Sequence, residues 1–286
     1  MLLSHVGAAA VGKDGRIYVF SSDAGAAVGI FNPRTNAWTI GPLSPVGAGL
    51  TDAVTLSDGR IAMVGYDDAS KQRVIFFFDP VASAWTHASS VTQPVGFGLG
   101  VKDMRLYLLG GAAPSVTAGV QSYDVTTNTW ATETNMPTAR WLFPTVTSAA
   151  GHIVALGGEA GAASYVAGVE QYDPATKAWV AIAPIPRAIG SRRAAVGHDG
   201  KIYVVGGTAF PPNPMPTTPS VPSNKVDIYD PATSTWGAGP DLSVAAVVGA
   251  VVTGNDGRIY ALGAKVAGTA QLKVRVYEPS RGVWIN

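Results

Sequence analysis

Residues 172–179 read YDPATKAW, and residues 229–236 read YDPATSTW. A phrase of eight residues that returns nearly unchanged raises the question of a period. Each copy has physical content. An aromatic and an Asp close an apolar run, Pro follows, and small polar residues lead to Trp. Asp at the first corner and Pro at the second suit a type I turn. The carboxylate accepts backbone N–H groups two residues on, and Pro presets φ at about −65°. Short β-rich runs flank the turn, VEQY before and WVAI after. The phrase is therefore a hairpin joining two strands.

Looser copies run along the whole chain. IFNPRTNAW ends at Trp38, FFDPVASAW at Trp85, SYDVTTNTW at Trp130 and VYEPSRGVW at Trp284. With Trp179 and Trp236 the successive spacings are 47, 45, 49, 57 and 48 residues. Length alone, at 286 residues, would give roughly two domains. The repeat overrides that and makes one domain of six units, bounded near 1–42, 43–90, 91–136, 137–184, 185–240 and 241–286.

Composition removes several classes of function. Twenty Lys and Arg against 19 Asp and Glu give a net charge of +1, with no block of like charge, so neither a nucleic-acid face nor a polybasic membrane patch is expected. The absence of Cys excludes disulfides, thiolate metal sites and cysteine nucleophiles. There is no apolar run of about 18 residues, so no membrane-spanning helix is expected. MLLSHVGAAAVGKDG has no cationic lead-in and reads as a first strand, not a signal peptide; the compartment stays open. The 34 Gly and 20 Pro suit a chain built of turns.

Residues 187–239 give the clearest unit. AAVG is a strand of small residues, HDG a tight turn, and KIYVV a second strand ended by Gly206 and Gly207. VDIYD is a third strand and STWGA a fourth. Small side chains belong where inner strands crowd an axis, and Trp where outer strands splay. Gly110-Gly111 and Gly157-Gly158 repeat the doublet, and Ser21-Ser22, Gly65-Tyr66 and Gly263-Ala264 are its decayed forms. A strand ending in Gly-Gly, then an aromatic–acid turn, then Trp, at a period of about 50, resembles the kelch repeat over essentially the whole chain. No Trp precedes Asp, which sets aside the tryptophan–aspartate repeat.

The resemblance implies an all-β, six-bladed kelch-type β-propeller with four antiparallel strands per blade. Innermost strands are expected at about 5–11, 48–56, 96–101, 143–148, 193–198 and 246–253. Kelch propellers commonly complete one blade with strands from both termini. Here SHVGAAAVG reads as an innermost strand and GVWIN as an outer one. Each blade is then contiguous in sequence, and the ring closes by packing blade one against blade six.

Fold does not give function. Kelch propellers include protein-interaction modules, copper radical oxidases, a sialic acid mutarotase and nitrile-specifier proteins. The copper radical site needs Cys, and the nitrile-specifier spacing of Glu, Asp and His is absent, so no metal and no cofactor are expected. Inner turns account for Asp14, Asp58, Asp103, Asp199 and Asp256; aromatic–acid turns account for Asp79, Asp124, Asp173, Asp230 and Glu278. Glu170 and Asp227 on third strands are expected to be solvated. Seven acids remain: Asp23, Asp52, Asp67, Asp68, Glu133, Glu159 and Asp241. All fall in or beside loops that open on one end of a propeller.

Basic residues treated alike point to MPTARW (136–141) and PRAIGSRR (186–193), which lead into innermost strands of adjacent blades. Arg192 and Arg193 are consecutive and must face opposite ways in a strand. An unpaired buried guanidinium is costly, so at least one is expected at the channel opening. The bland alternatives are that Arg140 and Arg187 only tie loops together, Trp141 only wedges between blades, and His5 is a satisfied channel residue. The candidate ligand-binding residues are Arg140, Trp141, Glu159, Arg187, Arg192 and Arg193, with His5, Tyr66 and Asp67 on the opposite rim. Catalytic residues are not assigned. The expected function is binding of a protein partner, or of a small anionic, polar or carbohydrate-like ligand, by a monomer at the loop-face mouth of the channel. The alternative is an enzyme at the same mouth, doing mutarotase-, epimerase- or lyase-type acid–base chemistry with Glu159 or Glu133 and an Arg. The proline-rich insert FPPNPMPTTPSVPS (210–223) is expected to be a stiff lid or a spacer.

Overall fold

The computed structural model describes residues 5–21, 23, 25–45, 52–67, 70–112, 114–161, 164–187, 190–209, 221–266 and 269–285. Those residues form six four-stranded antiparallel sheets, two short two-stranded ladders (Glu159–Gly161 with Ser164–Tyr165, and Thr208–Ala209 with Val221–Pro222) and no helix. Blade one runs Val6–Val11, Ile17–Ser21, Ala27–Asn32 and Ala37–Leu43; blade two runs Ala53–Thr55, Ile61–Asp67, Gln72–Asp79 and Ala84–Ser90. Blade three runs Gly98–Lys102, Arg105–Leu109, Val120–Asp124 and Thr129–Thr132. Blade four is Thr145–Thr147, Ile153–Leu156, Val169–Asp173 and Ala178–Ile182; blade five is Arg193–Val196, Ile202–Val205, Val226–Asp230 and Thr235–Ala238. Blade six is Val247–Thr253, Ile259–Val266, Thr269–Glu278 and Val283–Ile285. Each blade is contiguous in sequence, as expected from reading SHVGAAAVG as an innermost strand and GVWIN as an outer one. The expected segment 48–51 of the second innermost strand lies outside the described residues.

The repeated phrase explains the blade. Asp173 and Asp230 accept the N–H groups of Ala175 and Ala232, at 2.9 and 3.0 Å, and so fold the corner. Two residues before each Trp the backbone is left-handed, at Asn36, Ser83, Asn128, Lys177, Ser234 and Gly282. The turn then returns the chain so that Tyr172 pairs in register with Trp179, and Tyr229 with Trp236. In all six blades the aromatic and the Trp stack with ring centroids 5.0 to 5.3 Å apart. Such pairs stabilise by about 0.5–1.5 kcal/mol beyond their burial.

The Trp also ties blades together. The indole N–H groups of Trp130, Trp179, Trp236 and Trp284 donate to Ser89 Oγ and to the carbonyls of Thr134, Ala183 and Pro240, each on the preceding blade. Trp85 breaks the rule, for its indole N–H is buried without an acceptor.

The core is six apolar clusters, one at each seam between blades. Each fully buried Val, Leu, Ile or Phe contributes about 1.5–3 kcal/mol. The seam that closes the ring packs Ala9, Ile17, Val19 and Phe31 of blade one on Ala250, Val252, Tyr260 and Leu262 of blade six. Val6 fills a hollow there: a Cβ at Gly249 would stand 2.7 Å from Val6 Cβ, so glycine is required. The Gly doublets have a related reason. Gly110, Gly111, Gly157, Gly158, Gly206 and Gly207 all have positive φ, and Gly111 N–H bonds Arg140 O at 2.9 Å where the next blade's connection passes.

Candidate functional site

The guanidiniums of Arg140 and Arg192 are building material. Arg140 has no exposed side-chain surface; it pairs with Glu170 at 3.0 Å and donates to the carbonyls of Gly157 and Gly168 at 2.9 and 2.7 Å. Arg192 is 1% exposed, pairs with Asp227 at 2.5 Å and donates to Val204 O at 2.7 Å. Neither is offered to a ligand in this structure. The same contacts correct the expectation that Glu170 and Asp227 are solvated: both are buried, because a carboxylate there compensates the Arg from the connection before it. Arg187 also reaches Asp227, at 2.7 Å, but remains about one-third exposed at 35%.

The other expected residues spread over the loop face. Trp141 packs over Gly96 of blade three, and its indole N–H is buried without an acceptor, a wedge at the seam of blades three and four. Glu159 bridges to Trp141 through the backbone, and burial pushes its carboxyl up from the ordinary value. On the far rim His5 contacts Asp23 at 3.1 Å, Tyr66 pairs with Arg73, and Asp67 Oδ2 accepts Ser70 N–H at 2.9 Å. These residues do not form one cluster with Arg140 and Arg192. Two leftover acids are structural: Asp241 pairs with Lys225 at 2.5 Å, and Glu133 accepts from Ser122 and Tyr172 at 2.7 and 2.8 Å. Burial alone would raise the Glu133 carboxyl, but those donors and Lys177 hold it below its usual range. Asp68 and residues 210–220 of the insert lie outside the described residues.

The blade register brings a different pair together. Val11, Thr55, Val101, Thr147, Val196 and Thr253 hold one tier of the innermost strands, each paired with the first Ile or Leu of the second strand. The three Thr in this tier donate to the carbonyls of Val11, Val101 and Val196 in the preceding blades, at 2.8, 2.6 and 2.8 Å. Three residues upstream, toward the loop face, the matching tier is Ala8, Asp52, Gly98, Pro144, Arg193 and Ala250. Four members are small or cyclic and apolar. The two charged members belong to blades two and five, which stand opposite one another in a ring of six.

Asp52 lines the central channel, a cavity of about 330 Å3 walled by inner-strand residues such as Ala9, Val54, Leu99, Val146, Ala195 and Val251. Its Oδ1 accepts Ala53 N–H at 2.9 Å, and Oδ2 has no donor among the described residues. Burial pushes the carboxyl up to about 6, against the opposing pull of Arg193 and the Ala53 N–H. Arg193 is clamped by Gly249 O of blade six at 2.8 Å and by Arg192 O at 3.3 Å. A guanidinium has five N–H donors, so three on Arg193 have no acceptor among the described residues. Arg193 and Asp52 feel each other's charge but form no direct ion pair.

The larger grooves lie on the other end. One of about 780 Å3 is lined by Asp199, Asp256, Glu278 and Pro279; another of about 410 Å3 by Asp14, Asp58, Asp79 and Pro80; a third of about 460 Å3 by Asp199, Asp230 and Pro231. All three combine inner-turn acids with an acid–Pro outer turn, so they are products of the repeat. The inner-turn acids are also in use: Asp14, Asp199 and Asp256 accept from Tyr18, Tyr203 and Tyr260, at 2.9, 2.7 and 2.6 Å. Among the described residues no group of three or more His, Asp or Glu is placed to hold a metal ion, and no helix is long and apolar enough to cross a membrane.

The Kelch motif model matches residues 140–186 and 190–243, the two blades that carry the quoted phrase. With six blades of the same build, the chain is a kelch-repeat β-propeller. The solved structure of YjhT superposes with a TM-score of 0.80 at 15% identity, covering 99% of this chain and 97% of that one. That likeness is one of fold. No curated protein matches the chain.

Proposed function

We propose that this propeller binds a small polar ligand at the loop-face mouth of its central channel, with Arg193 and Asp52 as the charged contacts. The observation that carries it is the matched tier, where two unpaired opposite charges stand in opposed blades above an apolar channel. A guanidinium held by two carbonyls is oriented before a ligand arrives, which lowers the ordering cost of binding. Val95, Leu142, Val221 and Val244, exposed on the loop face, would supply apolar contact around the rim. A thermal-shift screen of small acids, amines and sugars tests this. Stabilisation seen with the wild type and absent from both Arg193→Gln and Asp52→Asn supports it. Stabilisation that persists in both variants places the site elsewhere.

One observation favours acid–base catalysis as a second reading. A carboxyl at about 6 exchanges protons near neutrality, as a general base or acid must. Turnover of a screened ligand by the wild type, lost in Asp52→Asn with binding retained, would select that reading.

A further inference from the structure

The two charges at the mouth hold the same place in opposed blades, and neither is neutralised by contact. We propose that the mouth selects a small zwitterion, its carboxylate on the free N–H groups of Arg193 and its ammonium on Asp52 Oδ2, with the connecting carbons over the channel. This deepens the reading above and rests on it.

The alternatives leave a charge unserved. A simple anion bound to Arg193 would face the ionised Asp52 across the ring. A simple cation on Asp52 would face Arg193. A neutral sugar would satisfy hydrogen bonds but leave the guanidinium without an anion, in a site where charge is not well screened. A molecule with both charges meets both walls, and the apolar side chains between them suit methylene groups. The gap across the ring sets the separation of the ligand's charged ends, so affinity depends on ligand length.

The test is calorimetric titration of the folded protein at about pH 8 with β-alanine, γ-aminobutyrate and aminohexanoate, against butyrate and butylamine. One zwitterion of the series is expected to bind at least about tenfold more tightly than either singly charged compound. Asp52→Asn and Arg193→Gln are each expected to lose about tenfold or more, with thermal midpoints confirming folding. Arg193→Lys, which keeps the charge but not the fork, is the second variant and should retain part of the affinity. Affinity should also fall as the pH drops below about 6, where Asp52 takes up a proton. If butyrate binds as tightly as any zwitterion and Asp52→Asn changes nothing, the zwitterion proposal is overturned while the mouth remains a carboxylate site. If none of the five compounds binds, the proposal is also overturned, and the thermal-shift screen alone decides the mouth.

Discussion

Replacing Arg140 by Met should destabilise the propeller more than replacing Arg192 by Met, although both arginines are enclosed and both pair with a third-strand carboxylate. The difference lies in what remains. Without Arg140, Glu170 keeps only Thr138, whose hydroxyl donates at 2.5 Å, so a buried carboxylate is left with no counter-charge. Breaking such a pair from one side costs about 3–5 kcal/mol. Without Arg192, Asp227 keeps Arg187 at 2.7 Å, and the loss is that of a charged hydrogen bond, about 1.5–3 kcal/mol. Adding Glu170→Gln to Arg140→Met removes the orphaned charge and should recover at least about 1 kcal/mol of the loss. Urea unfolding followed by Trp fluorescence reads these values, provided the slope with denaturant is unchanged. An Arg140→Met protein within about 0.5 kcal/mol of wild type, the range of an ordinary surface change, would refute the structural role given to this arginine.

The blade ties predict a contrast at Trp. Trp179→Phe should cost about 1 kcal/mol more than Trp85→Phe, because only Trp179 donates across the seam, to Thr134 O at 2.8 Å; thermal midpoints would show it. At the closing seam, Gly249→Ala should cost about 1–3 kcal/mol through overlap with Val6 Cβ and the Val6 carbonyl, and Val6→Ala in the same chain, which keeps both atoms, should return little of it. Asp52 predicts a pH effect of defined sign. Its folded carboxyl stands at about 6 against an ordinary 3.8, so the folded chain binds the proton more tightly. Stability from this group is full below about pH 4 and is lost as pH rises through about 6, by up to ~3 kcal/mol. Asp52→Asn should therefore gain on wild type over that window, and a flat difference between the two would contradict the shift. Acids held below their ordinary values, such as Glu133 and Asp124, are common to both chains and cancel in the comparison.

The fold was legible because it is written six times. Trp spacing gave the blades, and the phrase around Tyr172 and Tyr229 gave the turn that stacks aromatic on Trp. The site was legible only in part. MPTARW and PRAIGSRR draw the eye as clusters of unexplained charge, but Glu170 and Asp227 looked like ordinary strand acids. An alternating strand pattern does not tell which face meets the neighbouring blade's connection, so their pairing with Arg140 and Arg192 was hidden. Arg193 stood among the candidates; Asp52 stood only among the leftover acids. The missing signal was in the repeat itself. Aligning the six innermost strands on Thr55 and Val196 puts Asp52 and Arg193 in one tier, and counting blades puts them opposite.

The central claim, that the ligand sits between these two residues, is tested most directly by the crystal structure of the protein soaked in the tightest-binding compound of the titration. The account predicts density over the channel axis at the loop face, within hydrogen-bond distance of Arg193 and Asp52, and no such density in Arg193→Gln crystals treated alike. Density in a turn-face groove, or at the mouth but equally strong in Arg193→Gln, would contradict it.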